Sequence, residues 1–368
     1  MPDNKFLTPQ IIAREALAIL QGNLVYADLV DRRFNADFNG KVGDTITIRS
    51  RSAVKSNYFN GQIKKQGITE APIPVTLDRH RDTSVEVTSK ELTLNIADFS
   101  TQVLEPVMVG MANDINADIA AFIYGNAAKN IAATANPTDL KDIANIAKYL
   151  DTNKAPKTDR SLVLCPDHKY NYALTENLSK VSYAGGNETL RDAMLGKIYS
   201  LNTYMDQDNP NTEAVTAGTA TAYKVTGVKG EKKVQISALN TATATVKKGD
   251  KFIVNGYIYT IAADGTGASN AIANQAIEEE LQTTINDATD VVVINKPTSV
   301  AFHKESVAMV NVPLAIPDGA VKAYTASANG LAVRVVFAYD INNKCEVMSI
   351  DILYGLAVER KDLIVGLA

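Results

Sequence analysis

The spacing of apolar residues changes several times along the chain, and each change predicts a different kind of element. Near the start, apolar side chains recur at helical spacing and a proline stands where a first helical turn accepts one, so the sequence predicts an amphipathic helix from Thr8 to Gly22. Its apolar stripe consists of Ile11, Ile12, Leu17 and Leu20. Such a terminal helix must dock on its own domain or on a neighbouring chain.

Between residues 40 and 88 the apolar period becomes two, which is typical of β-strands. Two alternating runs, residues 41–49 and 73–88, predict a pair of strands with a long excursion between them. The excursion is basic and carries three apolar side chains that have no obvious core of their own: Tyr58, Phe59 and Ile63. Aromatic anchors in such places usually fill a pocket on a partner, so we expect an extended arm. Folding back onto its own domain is the alternative.

The clearest helical pattern covers residues 99–123, where apolar residues recur every three or four positions. Asp98 is expected to cap this helix, and Pro106 to kink it or to start a longer half that runs to Lys129. The elements predicted after it are a helix opening at Asn136 and Pro137, a strand at residues 161–165, a short helix after Pro166, a helix near residues 188–195 and a strand at residues 198–204. This alternation indicates an α+β or α/β fold.

At about Asp208 the composition shifts to Thr, Ala and Val, and the chain breaks into short alternating runs. The six runs are residues 222–228, 232–239, 251–254, 257–262, 281–285 and 290–294, with a hairpin turn at Asn255 and Gly256. Residues 270–281 fit one or two helical turns instead. The pattern predicts a small barrel or sandwich, and its polar, proline-bearing flanks are those expected of an inserted domain.

Composition excludes several classes of protein. The chain has 368 residues, of which 46% are hydrophobic and 21% charged, with a formal net charge of −4, so disordered and collagen-like proteins are excluded. Two cysteines argue against a disulfide-stapled secreted fold. The sequence has neither an apolar stretch long enough for a membrane helix nor the pattern of a signal peptide, so we expect a protein that stays inside the cell that makes it.

The chain has no constellation of residues that predicts catalysis or cofactor binding. Its three histidines are far apart in sequence, so their spacing does not predict a metal site: His80, His168 and His303. Cys165 and His168 are spaced like a nucleophile and base, but the thiol ends an apolar strand, where a buried and inert cysteine is expected. Walker, dinucleotide and nucleophile-elbow motifs are missing. We therefore expect no enzyme and no cofactor.

One acidic segment resembles the start of a calcium loop. Asp206, Asp208 and Asn209 have the composition of its first positions. However, Pro210 stands where the loop needs a ligand, and the required glycine is missing. We expect a solvated linker and no metal site.

Taken in order, these elements resemble the major capsid proteins of tailed double-stranded-DNA bacteriophages, which share the Hong Kong phage type capsid fold. The resemblance lies in NKFLTPQIIAREAL, KVGDTITIR, ITEAPIPVTLDRHRDTSVEVTSKELTLNIADFSTQVLEPVM, PTSVAFHKESVAMV and SIDILYGLAVERKDLIVGL. The stretch VKKGDKFIVNGYIYTI, within the β-rich segment, resembles the podovirus coat branch, in which a small barrel is inserted into the capsid domain.

The resemblance implies an α+β fold with an N-terminal arm, an extended β-hairpin loop, a peripheral domain with a long spine helix, an axial domain and an inserted all-β barrel-like domain. The implied bounds are 1–39 for the arm, 40–88 for the extended loop and its supporting strands, 89–207 for the spine helix and axial domain, 208–296 for the inserted domain and 297–368 for the completion of the axial and peripheral domains. Residues 137–205 and 297–339 would build the axial domain, and the last strands would return to the peripheral sheet.

The same resemblance implies a function in assembly. One polypeptide would form pentamers and hexamers of an icosahedral shell around double-stranded DNA, held by confinement and not by sequence. A separate scaffolding protein is implied because a long N-terminal coiled coil is missing, and a portal protein is implied as a further partner. The shell would assemble in the bacterial host cytoplasm and remain in the virion, without a membrane.

The candidate contacts between subunits lie on the extended loop and are Tyr58, Phe59, Ile63, Lys55, Lys64 and Lys65. Covalent cross-linking is not predicted, because nothing identifies a partner for the lysines. Three alternatives stay open: an encapsulin-type compartment with an enzyme cargo, a β-rich surface or adhesin-like protein, and an unrecognised hydrolase.

Overall fold

The structure, a computed structural model, describes residues 9–38, 45–49, 56–61, 63, 65, 72–88, 100–134, 137–179, 195–209, 223–239, 241–255, 257–290, 292–294, 298–317, 322–341 and 345–367. The helices are α1 (Pro9–Asn23), α2 (Tyr26–Leu29), α3 (Glu105–Gly125), α4 (Lys141–Thr152), α5 (Pro166–Ala173) and α6 (Glu176–Ser179). The strands are β1 (Thr45–Arg49), β2 (Pro72–Thr76), β3 (Arg79–Thr88), β4 (Lys129–Ile131), β5 (Arg160–Leu164), β6 (Lys197–Ile198), β7 (Leu201–Met205), β8 (Lys224–Gly227), β9 (Lys233–Ser237), β10 (Thr245–Val246), β11 (Lys251–Val254), β12 (Tyr257–Thr260), β13 (Gly265–Thr266), β14 (Ile272–Ala276), β15 (Ile285–Asp290), β16 (Val292–Ile294), β17 (Ser299–His303), β18 (Val307–Val312), β19 (Lys322–Ala328), β20 (Leu331–Asp340), β21 (Cys345–Val358) and β22 (Ile364–Leu367).

The chain divides into two compact units. The first contains Met1–Leu24, Val30–Ala112 and Val307–Glu359, and the second contains Val25–Leu29, Asn113–Ser306 and Arg360–Ala368. One boundary falls inside α3, so this helix contributes residues to both units.

The first unit is built on a five-stranded sheet centred on β21. This strand of 14 residues pairs with β18, β20 and β3, and β19 pairs with β20, all antiparallel. The assignment of residues 297–339 to an axial domain and of the last strands to a peripheral sheet stays a prediction. Consecutive strands joined by short connections pair with each other, which keeps β19, β20 and β21 together, whereas β22 joins the sheet of the second unit.

Helix α1 packs on β19 and β20 of the same unit, so the terminal helix docks on its own chain. Three members of its predicted stripe, Ile12, Leu17 and Leu20, are buried, whereas Ile11 is 49% exposed. The inclusion of Ile11 was wrong because each residue turns a helix by about 100°, which moves it to the flank of the stripe.

The spine helix follows the predicted period. Residues Ser100–Leu104 form a π-helical turn that continues directly into α3, and Pro106, which has no amide proton to donate to the preceding turn, is the second residue of α3. The buried members of the stripe are Leu104, Met108, Met111, Ile115, Ile119 and Ile123. The helix ends at Gly125 and not at the expected Lys129, which starts β4, and its 21 residues span about 31 Å. The expected cap, Asp98, lies outside the described residues.

The second unit contains a six-stranded sheet in the order β4-β22-β17-β5-β7-β6. Strands β5 and β7 are parallel, and β17 runs antiparallel to both β5 and β22. Helix α4 covers it with the buried residues Ile143, Ile146 and Leu150, which belong to the same hydrophobic cluster as Leu162 and Leu164 of β5.

Two local predictions for this unit need correction, and a third is not tested by the described residues. Helix α4 starts at Lys141 and not at Pro137, because the side chain of Asp139 accepts a hydrogen bond from the Lys141 amide at 3.0 Å and turns the chain there. The predicted strand at residues 198–204 is a hairpin of β6 and β7 whose turn residues, Tyr199 and Ser200, have φ values of 45° and 67°. The helix predicted near residues 188–195 lies almost entirely outside the described residues.

The β-rich segment contains β8 to β16 in three small sheets, ordered β14-β9-β8-β15, β12-β11-β16 and β10-β13. Its hydrophobic cluster draws on residues between Tyr223 and Ile285, including Phe252 and Tyr259. The predicted hairpin is confirmed, since Val254 pairs with Tyr257 and Asn255 has φ 52°, as this two-residue turn requires. The bounds 208–296 of a separate domain stay a prediction.

Two predictions within this segment are wrong. Residues 272–276 form strand β14, not helical turns, because they pair with β9 and Asn274 has φ 53°, which no α-helix contains. Residues 281–284 are irregular, and the strand begins only at Ile285. Long-range pairing decided both cases.

Candidate functional site

The base of the extended loop is a two-stranded hairpin formed by β1 and β2. The strands pair antiparallel from Thr45 and Thr76 to Arg49 and Pro72, and the hydroxyl oxygens of Thr45 and Thr76 lie 3.0 Å apart. The apolar face of the hairpin packs against β18 and β21 through Ile46, Ile48, Val75, Ala308, Val310 and Ala357. The base is therefore fixed to the first unit, and the predicted pair of strands is present.

A close approach of two backbones holds β2 to β21. Gly355 of β21 lies so near the carbonyl group of Thr76 that a Cβ atom at this position would overlap it. Glycine is therefore required here by space, because any other residue would push the hairpin off the sheet.

The described residues of the loop, 56–61, 63 and 65, are all exposed. Tyr58 is 99% exposed, Phe59 76% and Ile63 82%. Lys65 is exposed as well, whereas Lys55 and Lys64 lie outside the described residues. The three apolar side chains do not fold back onto their own chain. Burying all of them against a partner would contribute on the order of 5 kcal/mol.

Cys165 and His168 are brought together in the second unit but not as a catalytic pair. Both are buried, and the hydroxyl of Ser299 accepts the Cys165 amide at 2.9 Å and lies 2.8 Å from Nδ1 of His168. Burial raises the pKa of the Cys165 thiol and lowers the pKa of His168, so both stay neutral near pH 7. These groups join the end of β5 to β17 and have no exposed reactive atom.

Two residues of the acidic segment after β7 are buried, which contradicts the expectation of a solvated linker, whereas Gln207 between them is exposed. Asp206 is 4% exposed and Asn209 3%. One carboxylate oxygen of Asp206 accepts the amide of Asp208 at 2.7 Å, and the amide of Asp206 donates to the carbonyl of Leu164 at 3.1 Å. Burial raises the pKa of Asp206 to about 6.

Helix α2 covers this segment, which sequence patterns could not reveal. The Tyr26 hydroxyl donates to Oδ1 of Asn209, and its ring stacks on Phe302 with centroids 6.3 Å apart. Oδ1 of Asn116 accepts the amide of Val25 at 3.1 Å. Residues 25–29 are only one helical turn long, so no periodicity marks them.

A second polar cluster that the sequence did not predict lies on the five-stranded sheet. Arg334 of β20 holds Asp351 of β21 with two hydrogen bonds and also donates to the carbonyl of Ala315. Nε2 of His80 lies 3.4 Å from the same carboxylate. Only the register of β3, β20 and β21 brings these residues together, since they are 271 positions apart at most.

The described residues also bear on metal binding and on membrane crossing. Among them, no group of three or more His, Cys, Asp or Glu side chains is placed to hold a metal ion. No helix in the same part of the chain is long and apolar enough to cross a membrane.

Known proteins resemble this chain in structure and not in sequence. No protein-family model matches it, and no curated protein does so. A chain from Mycobacterium phage Che8 is 14% identical, with 94% of this chain and 90% of that chain covered and a TM-score of 0.52. A chain in the capsid structure of the Cyanophage P-SCSP1u is 15% identical, with 94% and 87% covered and a TM-score of 0.52. The chain therefore has the fold of a phage capsid chain, and the predicted α+β capsid fold is confirmed.

Proposed function

We propose that this chain is the major capsid protein of a tailed double-stranded-DNA bacteriophage, a structural protein that assembles with copies of itself into an icosahedral shell. The observation that carries the proposal is the fold shared with a chain of a phage capsid structure over 94% of this chain. The same fold favours a shell protein over a surface or adhesin-like protein. It also favours a structural role over catalysis.

The extended loop supports the proposal as a contact between subunits. Its base is fixed by a buried apolar face, and its described tip exposes Tyr58, Phe59 and Ile63. Large apolar side chains on an exposed hairpin are costly in water and are typical anchors of an interface. In a shell, each tip would bury these side chains on a neighbouring copy, with Lys55, Lys64 and Lys65 beside them.

The remaining partners follow from the same proposal. Copies of the chain form pentamers and hexamers, assisted by a separate scaffolding protein and joined to a portal protein. The net charge of −4 suits a shell that holds DNA by confinement, because tight phosphate binding needs clustered positive charge. Assembly takes place in the host cytoplasm, and the protein remains in the virion.

The β-rich segment supports the podovirus-like subtype of this proposal. Its strands β8 to β16 pair among themselves, and its hydrophobic cluster consists of residues between Tyr223 and Ile285. A segment with its own sheets and core is what an inserted domain of residues 208–296 requires.

The proposal is tested by expressing the protein alone and with its neighbouring genes, followed by negative-stain electron microscopy and mass measurement in solution. Closed shells, tubes or curved sheets are expected. Shells that contain DNA after co-expression support a virus capsid, whereas a protein cargo supports an encapsulin-type compartment. A stable monomer under both conditions would contradict the proposal.

The loop contact is tested with the double variant Tyr58→Ser, Phe59→Ser. We expect folded subunits that no longer assemble, because the variant removes the aromatic anchors without touching the core. The matched control is Val228→Ser, since Val228 is an apolar residue of the β-rich segment that is 55% exposed. If the double variant assembles at the concentration used for the unmodified chain, the loop tip is not part of the interface between subunits.

A further inference from the structure

The turn that follows β7 contains two acidic residues, of which Asp206 is buried and Asp208 is partly buried. The Asp206 turn, residues 206–209, contains two carboxylates and a buried amide, and α2 covers it through Tyr26. The charged neighbours that act on these carboxylates are acidic, Asp208 on Asp206 and Asp114 on Asp208, while the side chain of Asn116 donates a hydrogen bond to Asp208. The turn therefore lacks a positive partner in the described part of its unit.

Two polar atoms of the turn have no hydrogen-bond partner within the described residues. They are Oδ2 of Asp206 and Nδ2 of Asn209, and each belongs to a residue that is more than nine-tenths buried. The other oxygen of Asp206 already accepts the Asp208 amide. Buried polar atoms are almost always paired, and an unpaired buried carboxylate oxygen is among the costliest exceptions.

A cation would compensate the unpaired oxygen and the charges of the turn better than a proton or a water molecule would. A proton on Oδ2 of Asp206 would find no acceptor among the described residues and would leave the charge of Asp208 in place. A water molecule could bridge Asp206 to Asn209, but it would leave the charge of Asp206 and Asp208 uncompensated. A bound cation would satisfy the free oxygen and offset both charges.

We propose that the Asp206 turn binds a divalent cation of the Ca²⁺ type through Oδ2 of Asp206, the carboxylate of Asp208 and the amide oxygen of Asn209. Ca²⁺ accepts carboxylate, amide and carbonyl oxygens in irregular geometry, so two carboxylates with neutral oxygens are enough. Pro210 and the missing glycine exclude a full calcium-binding loop but not this smaller site, which uses only side chains of the turn.

The side-chain amide of Asn209 must rotate before its oxygen can coordinate the cation. The amide of an asparagine can be rotated by half a turn, which exchanges its oxygen and nitrogen at almost no steric cost. The nitrogen would then donate to the hydroxyl oxygen of Tyr26, and the oxygen would face the position that the unpaired nitrogen now takes. The contact between Tyr26 and Asn209 is kept with its direction reversed, and the hydroxyl proton of Tyr26 then needs a new acceptor.

The proposal is tested by thermal unfolding of the full chain in buffers of equal ionic strength that contain EDTA, MgCl₂ or CaCl₂. Saturating Ca²⁺ is expected to raise the Tm by about 3 °C or more relative to EDTA, because a ligand that binds only the folded state stabilises it. Titration calorimetry should detect one Ca²⁺ per chain. Asp206→Asn and Asp208→Asn should each reduce the shift at least threefold.

The control is Glu280→Gln, which removes one exposed carboxylate from the β-rich segment and should leave the Ca²⁺ shift unchanged. If Asp206→Asn does not fold, the variant Asp208→Asn still supplies the test, because Asp208 is only partly buried. The proposal would be overturned if Ca²⁺ did not raise the Tm of the unmodified chain. It would also be overturned if Ca²⁺ raised the Tm of all variants equally, or if Mg²⁺ raised the Tm as much as Ca²⁺ does. None of these results depends on shell assembly.

Discussion

Burial sets the protonation of Asp206 more strongly than any neighbouring charge does. Desolvation is the main cause that raises its pKa from 3.8 to about 6. The folded chain therefore binds this proton more tightly than the unfolded chain. Without a bound cation, the free energy of unfolding must fall as the pH rises from about 4 to about 6, and the loss persists above that range.

Replacing Asp206 with Asn should remove this pH dependence. In EDTA, we expect Asp206→Asn to be more stable than the unmodified chain above pH 7, by roughly 3 kcal/mol or less, because two pKa units correspond to about that energy. Urea unfolding at pH 4, 6 and 8 measures the difference. Parallel stability profiles of the two proteins would show that another group titrates.

Arg160 is a second residue whose role depends on burial. Its fully buried guanidinium donates to the carboxylate of Asp151 and to the carbonyls of Ala155 and Pro156, each at 2.7 Å. We expect Arg160→Met to cost about 3 kcal/mol, because three acceptors lose their donor at once. Arg160→Lys should recover only part of this loss, since an ammonium cannot reproduce the planar fork. Denaturant titration measures the free energy of unfolding of the unmodified chain and both variants. Equal values for all three proteins would contradict a stabilising role of the Arg160 guanidinium.

At the scale of elements, the attachment of the extended loop depends on one glycine. The chain offers a matched pair, because a Cβ at Gly355 would overlap the Thr76 backbone, whereas a Cβ at Gly110 in α3 meets nothing within 4 Å. We expect Gly355→Ala to destabilise the protein by about 2 kcal/mol or more, and Gly110→Ala to stabilise it by about 0.5–1 kcal/mol. Thermal unfolding distinguishes the two. A neutral Gly355→Ala would show that β2 and β21 can separate without cost.

At the scale of the whole molecule, the β-rich segment is expected to fold alone. Its core includes Phe252, whose ring lies 6.0 Å from Tyr223 and 5.6 Å from Tyr259. A fragment of residues 208–296 should therefore show a cooperative thermal transition by circular dichroism. Phe252→Ala should abolish the transition, because removing a buried phenylalanine costs about 3–5 kcal/mol, a large share of the stability of a domain this small. A fragment without a cooperative transition would mean that its sheets need the rest of the second unit.

Prediction from sequence succeeded where one element determines its own pattern. Helix α1, helix α3 and the strands β1 and β2 follow from the spacing of apolar residues, and the hairpin of β11 and β12 follows from its Asn-Gly turn. Prediction failed where a distant strand that pairs with a segment decides the secondary structure of that segment. Strand β14 was taken as possible helical turns, because the strand β9 that pairs with it is not visible in its own sequence.

The candidate sites divide in the same way. The exposed tip with Tyr58, Phe59 and Ile63 was predicted, because apolar residues within a polar hairpin stand out in one dimension. The burial of Asp206 was not, because Tyr26, which covers Asn209 beside it, is 183 positions away from that residue.

Local patterns were sufficient to predict the order of the elements, the α+β class and the exposed loop tip, since these depend on residues that are near neighbours in the chain. Strand pairing and packing were needed to place β22 outside the sheet of β21, to bring Arg334 to Asp351 and to bury Asp206. The physical reason is that burial and electrostatics act through space. Their partners are chosen by strand pairing and packing, which bring together residues that no local pattern connects.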